Sequence, residues 1–155
     1  YYDEWKFKHP TPNDFIRIAE KVSGAELDWY LTDWTRTTNT IDYAVKNVAT
    51  TGDSTTVTLE RIGLMPMPVE VKVQYTDGTE KEIYIPLQMM RWEKPAVENA
   101  NRMVAEDWAW AYPTYELKLE KPASEINKII IDDSGMMADV NRENNVYPTA
   151  TATSK

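Results

Sequence analysis

Apolar and polar residues alternate with period two along both arms of one stretch, residues 69–87. Val69, Val71, Val73 and Tyr75 are separated by Glu70, Lys72 and Gln74. After Thr76-Asp77-Gly78-Thr79, Ile83, Ile85 and Leu87 alternate back. This predicts a β-hairpin with one buried face, because period two puts alternate side chains on one side and Asp-Gly tolerates the positive φ of a tight turn. A two-stranded ribbon cannot bury such a face by itself, so further strands must cover it.

Before that hairpin the period is helical. Thr11-Pro12-Asn13-Asp14 supplies a capping hydroxyl, a proline at the first helical position and an acid in the first turn. Phe15, Ile18, Ala19 and Val22 follow at i, i+3, i+4 and i+7, and Gly24 is the stop. Leu27, Tyr30, Leu31 and Trp34 repeat the spacing, which predicts a second short helix; residues 1–9 read as an aromatic, partly extended lead-in. From Thr40 the period becomes two: Ile41, Tyr43 and Val45, then Val57 and Leu59, with a Thr-Thr-Gly-Asp-Ser turn between. Residues 88–113 are irregular, with a short helix expected over 96–105. Strands return at Tyr115, Leu117 and Leu119 and at Ile129, Ile130 and Ile131. A last short strand is expected over 136–140.

The predicted fold is therefore mainly β: an antiparallel β-sandwich of six to seven strands, immunoglobulin- or fibronectin-like, preceded by a two-helix hairpin. The expected division is 1–38 helical, 39–147 sandwich, and 148–155 a Thr-, Ala- and Ser-rich disordered tail.

Charge narrows the partners. The chain has 17 Lys+Arg against 25 Asp+Glu, formal charge -8, with the basic residues scattered singly. That distribution argues against nucleic acid. No apolar run approaches the roughly 20 residues of a membrane span. Cysteine is absent, so disulfides and thiolate metal sites are excluded. A secreted or periplasmic setting is the expectation over a cytoplasmic one.

Candidate chemistry is sparse. His9 is the single histidine and precedes a proline; a zinc site of the His-Glu-x-x-His kind needs more ligands at fixed spacing. No serine sits in a Gly-x-Ser-x-Gly setting, and no glycine-rich phosphate loop exists. Asp132, Asp133, Asp139, Asn141, Asn144 and Asn145 offer oxygens to a calcium ion, but their spacing is not that of an EF-hand and such residues also cap tight turns. No catalytic, cofactor-binding or metal-binding residue is assigned. The candidate binding surface is the aromatic set Trp92, Trp108, Trp110 and Tyr112. Exposed in a row, these rings would stack on sugar faces. Buried, they would plug one end of the sandwich, and burial is the expectation because large aromatics are mostly buried.

Several phrases, taken in order, resemble the C-terminal region of bacterial aminopeptidase-N-like zinc metallopeptidases of the gluzincin type. Lys8-His9-Pro10-Thr11-Pro12-Asn13-Asp14-Phe15 is similar to the stretch before that family's late catalytic-domain helices. Leu27-Asp28-Trp29-Tyr30-Leu31-Thr32-Asp33-Trp34 resembles one of those helices. Met65-Pro66-Met67-Pro68-Val69, Trp110-Ala111-Tyr112-Pro113-Thr114-Tyr115, and the stretch from Asp132 through Asp139-Val140-Asn141-Arg142-Glu143-Asn144-Asn145 are similar to segments of its C-terminal β-domain. The resemblance implies a zinc peptidase in which two His and a Glu hold the metal, a further Glu activates water, and a Tyr stabilises the tetrahedral intermediate. None of these roles carries over: no position here matches the zinc helix, and Tyr30 and Tyr43 lie outside the family's tyrosine motif. The expectation is a non-catalytic C-terminal region that supports a catalytic domain, with zinc in the parent enzyme only. Its partners would be the N-terminal and catalytic domains in cis, and the helices' apolar faces would leave this piece prone to self-association. The alternative is a free-standing module that binds carbohydrate or protein through residues 92–112.

Overall fold

The computed structural model describes residues 1–96 and 101–148. Three helices come first: α1 (Tyr2–Trp5), α2 (Pro12–Ser23) and α3 (Asp28–Arg36). The first replaces the extended lead-in expected there. α2 starts as the sequence dictates, with a capping box: the Asp14 N–H donates to Thr11 Oγ1 (3.4 Å) while the Thr11 N–H donates to the Asp14 carboxylate (2.9 Å). The Thr11 hydroxyl, donating to the Asp14 carboxylate at 2.6 Å, and the Thr11 N–H hold the Asp14 carboxyl below its ordinary range. Gly24 ends the helix in the left-handed region, φ 76°, its N–H donating to Glu20 O at 2.8 Å.

Among the described residues eight strands form two facing sheets: β1 (Tyr43–Thr51), β2 (Ser54–Arg61), β3 (Val69–Tyr75), β4 (Glu80–Ile85), β5 (Arg102–Val104), β6 (Thr114–Leu119), β7 (Ile126–Ile131) and β8 (Val146–Tyr147). The smaller sheet has the order β1-β2-β6 and the larger β5-β4-β3-β7-β8. A β1-β2 hairpin with β6, facing β4-β3-β7-β8, is the arrangement of immunoglobulin- and fibronectin-like sandwiches. The predicted hairpin is β3 with β4, in the register Val69↔Ile85 and Val71↔Ile83. Every ladder is antiparallel except β4 with β5, which is parallel.

The two sheets enclose one core. Val57 and Leu59 from β2, Val69, Val71 and Val73 from β3, Ile83 and Ile85 from β4, Leu117 and Leu119 from β6, and Ile129 and Ile131 from β7 are all buried there. Ile130, between two inward isoleucines, is buried on the opposite face, so the three consecutive isoleucines serve both sides of β7.

Three expectations are corrected. Of the helix expected over 96–105, residues 97–100 lie outside the described residues, and Arg102–Val104 is a strand instead, because it adds to the edge of β4. Residues 136–140 form no strand. The segment is held by side chains instead: the Asp132 carboxylate accepts from the N–H groups of Met136 (3.1 Å) and Met137 (2.9 Å). The eighth strand is Val146–Tyr147. In α2 the buried residue is Ile16, while Phe15 and Val22 face solvent. Ile16 with Ala19, Glu20 and Ser23 lies toward the 25–27 turn, where the Leu27 N–H donates to the Glu20 carboxylate at 2.9 Å, which rotates the periodic stripe outward. The tail beyond Pro148 lies outside the described residues.

Candidate functional site

Trp92, Trp108, Trp110 and Tyr112 do not act as a set. Trp108 is 3% exposed and belongs to the core. Its ring lies edge-on to Tyr43, centroids 5.5 Å apart, and tilted against Tyr115 at 5.3 Å. The indole N–H donates to Tyr112 O at 2.8 Å, so its one polar atom is satisfied in place. The backbone fixes it as well: the Trp108 N–H donates to Pro86 O at 2.8 Å and Leu87 bridges to Trp108 in parallel. This is the plug of the sandwich end that burial predicts. Leu87 therefore pairs with the irregular segment, one residue beyond the proline that ends β4.

Trp92 is half-buried over Gly24, where an added Cβ would lie 3.8 Å from its Cδ1. The other two rings stay in solvent, Trp110 at 53% and Tyr112 at 66%. Burial thus describes Trp108 and in part Trp92, whereas Trp110 and Tyr112 are exposed. The reason is local: the Tyr112 N–H donates to Ala109 O at 3.0 Å, a turn that carries both rings outward while its next strand, β6, begins at Thr114.

Beside Trp110 lies an open hollow of about 600 Å³, lined by Glu26, Gln88, Met89, Arg91 and Trp110. Arg61 fixes the Trp110 wall. Its Nη2 donates to Trp110 O at 3.0 Å, its Nη1 donates to Gly63 O at 2.8 Å, and its guanidinium carbon is 5.9 Å from the ring centroid. The Glu26 N–H donates to Met90 O at 3.0 Å, which brings the α2–α3 turn to the opposite wall. An exposed ring that lines one hollow with a carboxylate, an amide and a guanidinium offers the chemistry of a sugar or peptide contact.

A second cavity, about 290 Å³, lies on the outer face of the larger sheet. Two of its lysines are paired with carboxylates, while Arg102 Nη2 is buried without a hydrogen-bond partner among the described residues. Lys94 pairs with Glu70 at 2.6 Å, Lys72 pairs with Asp133, and the Arg102 guanidinium covers the Tyr84 ring at 4.6 Å. The hydrogen bond that the Lys72 ammonium donates to the Asp133 carboxylate holds the ammonium above its ordinary range. Burial raises the Tyr84 phenol.

The residues weighed for catalysis and calcium stay apart or serve the backbone. His9 is exposed. Asp139 is buried, its carboxylate accepting from the Tyr43 N–H (2.9 Å) and the Asn141 N–H (2.8 Å). Asn144 donates to Asp42 at 3.0 Å. These links tie the C-terminal segment to the start of β1, the turn-capping use of such side chains. Among the described residues no three His, Asp or Glu are grouped to hold a metal ion.

Another feature stands out from the sequence pattern only in part. Tyr2, Phe7, Phe15, Val22 and Trp34 are all exposed, Phe7 at 98%. Tyr1 and Phe15 pack edge to face at 5.2 Å, but α1 and α2 bury little against the sandwich; α3 reaches the core through Tyr30. No helix of the described residues is long and apolar enough to cross a membrane.

No protein-family model matches the chain, and neither the curated proteins nor the solved structures contain a significant match.

Proposed function

We propose that this chain is a non-catalytic supporting region of an aminopeptidase-N-like zinc metallopeptidase, its helices completing the packing of a catalytic domain and its sandwich bracing that domain. The observation that carries this reading is the set of large apolar side chains left in solvent on the helices and the turns beside them, Tyr1, Tyr2, Phe7, Phe15, Val22 and Trp34. Short amphipathic helices are marginal alone and are held by the surface they cover. Isolated apolar residues on a surface are ordinary, but six on 36 residues of helix and turn amount to apolar surface of the kind that a neighbouring element covers. The ordered phrases that resemble the family's late helices and C-terminal β-domain supply the identity of that neighbour. The same face would drive self-association when the neighbour is missing.

Zinc belongs to the parent in this reading. The donor set here, a single exposed histidine, does not fit a gluzincin site, and no step is routed through metal. The test is the reading frame upstream of Tyr1. It should encode His-Glu-x-x-His followed at a distance by a zinc-binding Glu; a frame that opens near Tyr1, or one without that motif, overturns the proposal.

The second reading, a binding module, is favoured by the exposed Trp110 and Tyr112 beside the hollow with Glu26, Gln88 and Arg91. It is tested by retention on immobilised glycans of the parent chain against Trp110→Ala. Retention lost by a folded variant supports this reading, and absence of retention by the parent removes it.

A further inference from the structure

Among the described residues, the longest regular strand edge with no backbone partner is that of β6. Its register with β2 runs from Thr55↔Leu119 to Glu60↔Thr114, and the next residue pair along is closed by a hydrogen bond from the Arg61 N–H to Pro113 O at 2.8 Å. Bonded and unbonded pairs alternate along an antiparallel ladder. The backbone groups of Tyr115, Leu117 and Leu119 therefore point toward β2, and those of Thr114, Glu116 and Lys118 point away. These three residues are exposed, and among the described residues no backbone group bonds to them from that side.

The other edges are blunted. β5 and β8 have three and two residues. β1 is bulged between Val45 and Asn47, and its start is tied to the C-terminal segment by the Val140 N–H donating to Ile41 O at 3.0 Å. Short strands, bulges, covering segments and edge charges are the usual protections of an edge, and of these β6 has only the charges, Glu116 and Lys118.

What β6 carries is alternating charge, Glu116, Lys118 and Glu120. A two-fold axis through Leu117 sets Glu116 of one copy opposite Lys118 of the other, twice. In that register the outward backbone groups of both residues meet as bonded pairs. Registers centred on Glu116 or Lys118 also align outward groups but place Glu against Glu or Lys against Lys. A register centred on Leu119 sets Glu116 against Pro122, which has no N–H to donate. Opposite charges directly across a ladder stabilise it and like charges destabilise it.

From this we propose that β6 is a self-pairing edge: a second copy of this chain adds antiparallel across it, centred on Leu117, and joins two three-stranded sheets into one of six. The contact is independent of the helical face discussed above and of the proposed parent enzyme. One strand edge buries less than the roughly 1,000 Å² of a stable interface, so the dimer is weak, with a dissociation constant on the order of 100 µM.

The test is sedimentation equilibrium of the full chain from 10 µM to 1 mM at low salt, with Glu116→Lys, Lys118→Glu and the double variant E116K/K118E. All three changes lie on exposed side chains, so the fold is kept, which circular dichroism checks. Each single reversal turns two attractive pairs into two repulsive ones and should raise the dissociation constant about tenfold. The double variant restores opposite charges in the same register and should return to within about twofold of the parent. Hydrogen exchange should show the Glu116 and Lys118 amides gaining protection with concentration, while the Leu117 amide, already bonded to β2, does not change. A chain that stays monomeric at 1 mM overturns the proposal. So does a dimer indifferent to the single reversals, or one that the double variant fails to rescue.

Discussion

Removing one oxygen atom from Tyr43 should change both the stability of this fold and the way stability depends on pH. Tyr43 is buried at the start of β1, against Trp108. Its hydroxyl donates to Met67 O (3.1 Å) and accepts from the Met67 N–H (2.8 Å), pinning the proline-flanked crossover of residues 65–68 to the smaller sheet. In Tyr43→Phe both Met67 groups lose their partner, which costs about 2 kcal/mol near pH 8, within the range for unsatisfied half-buried polar groups. Burial also pushes the Tyr43 phenol up from 10.0 to about 12, the hydrogen bond from Met67 offsetting part of the rise. The unfolded chain therefore ionises first. The contribution of this group is complete below pH 10, falls by about 1.4 kcal/mol per pH unit above that, and has gone by pH 12. At pH 11 the parent should have lost roughly 1.4 kcal/mol through Tyr43 alone, a loss the phenylalanine variant cannot show. Tyr75, Tyr84 and Tyr115, also raised by burial, titrate in both proteins and cancel in the difference. The assay is urea unfolding followed by tryptophan fluorescence at pH 8 and pH 11. The stability gap between parent and variant should shrink from about 2 to about 0.6 kcal/mol. A gap of equal size at both pH values would refute the reasoning.

Three further outcomes follow from the same geometry. Gly63→Ala should lower stability by about 1–3 kcal/mol, because an added Cβ would lie 2.2 Å from Thr40 O and 2.7 Å from the Asp42 nitrogen, backbone atoms that cannot step aside; thermal melting with no loss sinks this. Trp108→Ala should cost about 3–5 kcal/mol by emptying the sandwich end, whereas Trp110→Ala, on the surface, should stay within about 1 kcal/mol; equal costs would place both rings in the core or both outside it. The Lys121 ammonium, with Thr79 Oγ1 and N–H, holds the Asp77 carboxyl well below its ordinary 3.8. A lowered acid stabilises above its unfolded value and ceases to do so as pH falls through the folded one. Asp77→Asn should therefore melt lower than the parent at pH 6, with the difference closing as the pH is taken below 3.8; a difference constant with pH argues against the pair.

Residues that repeat a local rule were legible from the sequence. The capping box at Thr11 and Asp14, the stop at Gly24 and the period-two arms of β3 and β4 are each determined within a few neighbours, and the structure has them where the pattern places them. Phe15 and Val22 show the limit of periodicity, which identifies an apolar face but not what it faces. Arg102–Val104 was illegible as a strand because three residues carry no period; the free edge of β4 decides their conformation. The aromatic segment is the clearest case. Trp108 and Trp110 are two residues apart with similar neighbours, and only the long-range bonds to Pro86 and Leu87 assign one to the core and the other to solvent.

The proposal that this chain is scaffold, with the reactive machinery elsewhere in a parent enzyme, is checked by assaying zinc content and hydrolysis of aminoacyl p-nitroanilides side by side. One sample is the purified chain and the other is the same chain extended by its upstream coding sequence. The account predicts one zinc and steady turnover in the extended protein and neither in the chain alone. Stoichiometric zinc with genuine turnover in the chain alone would contradict it.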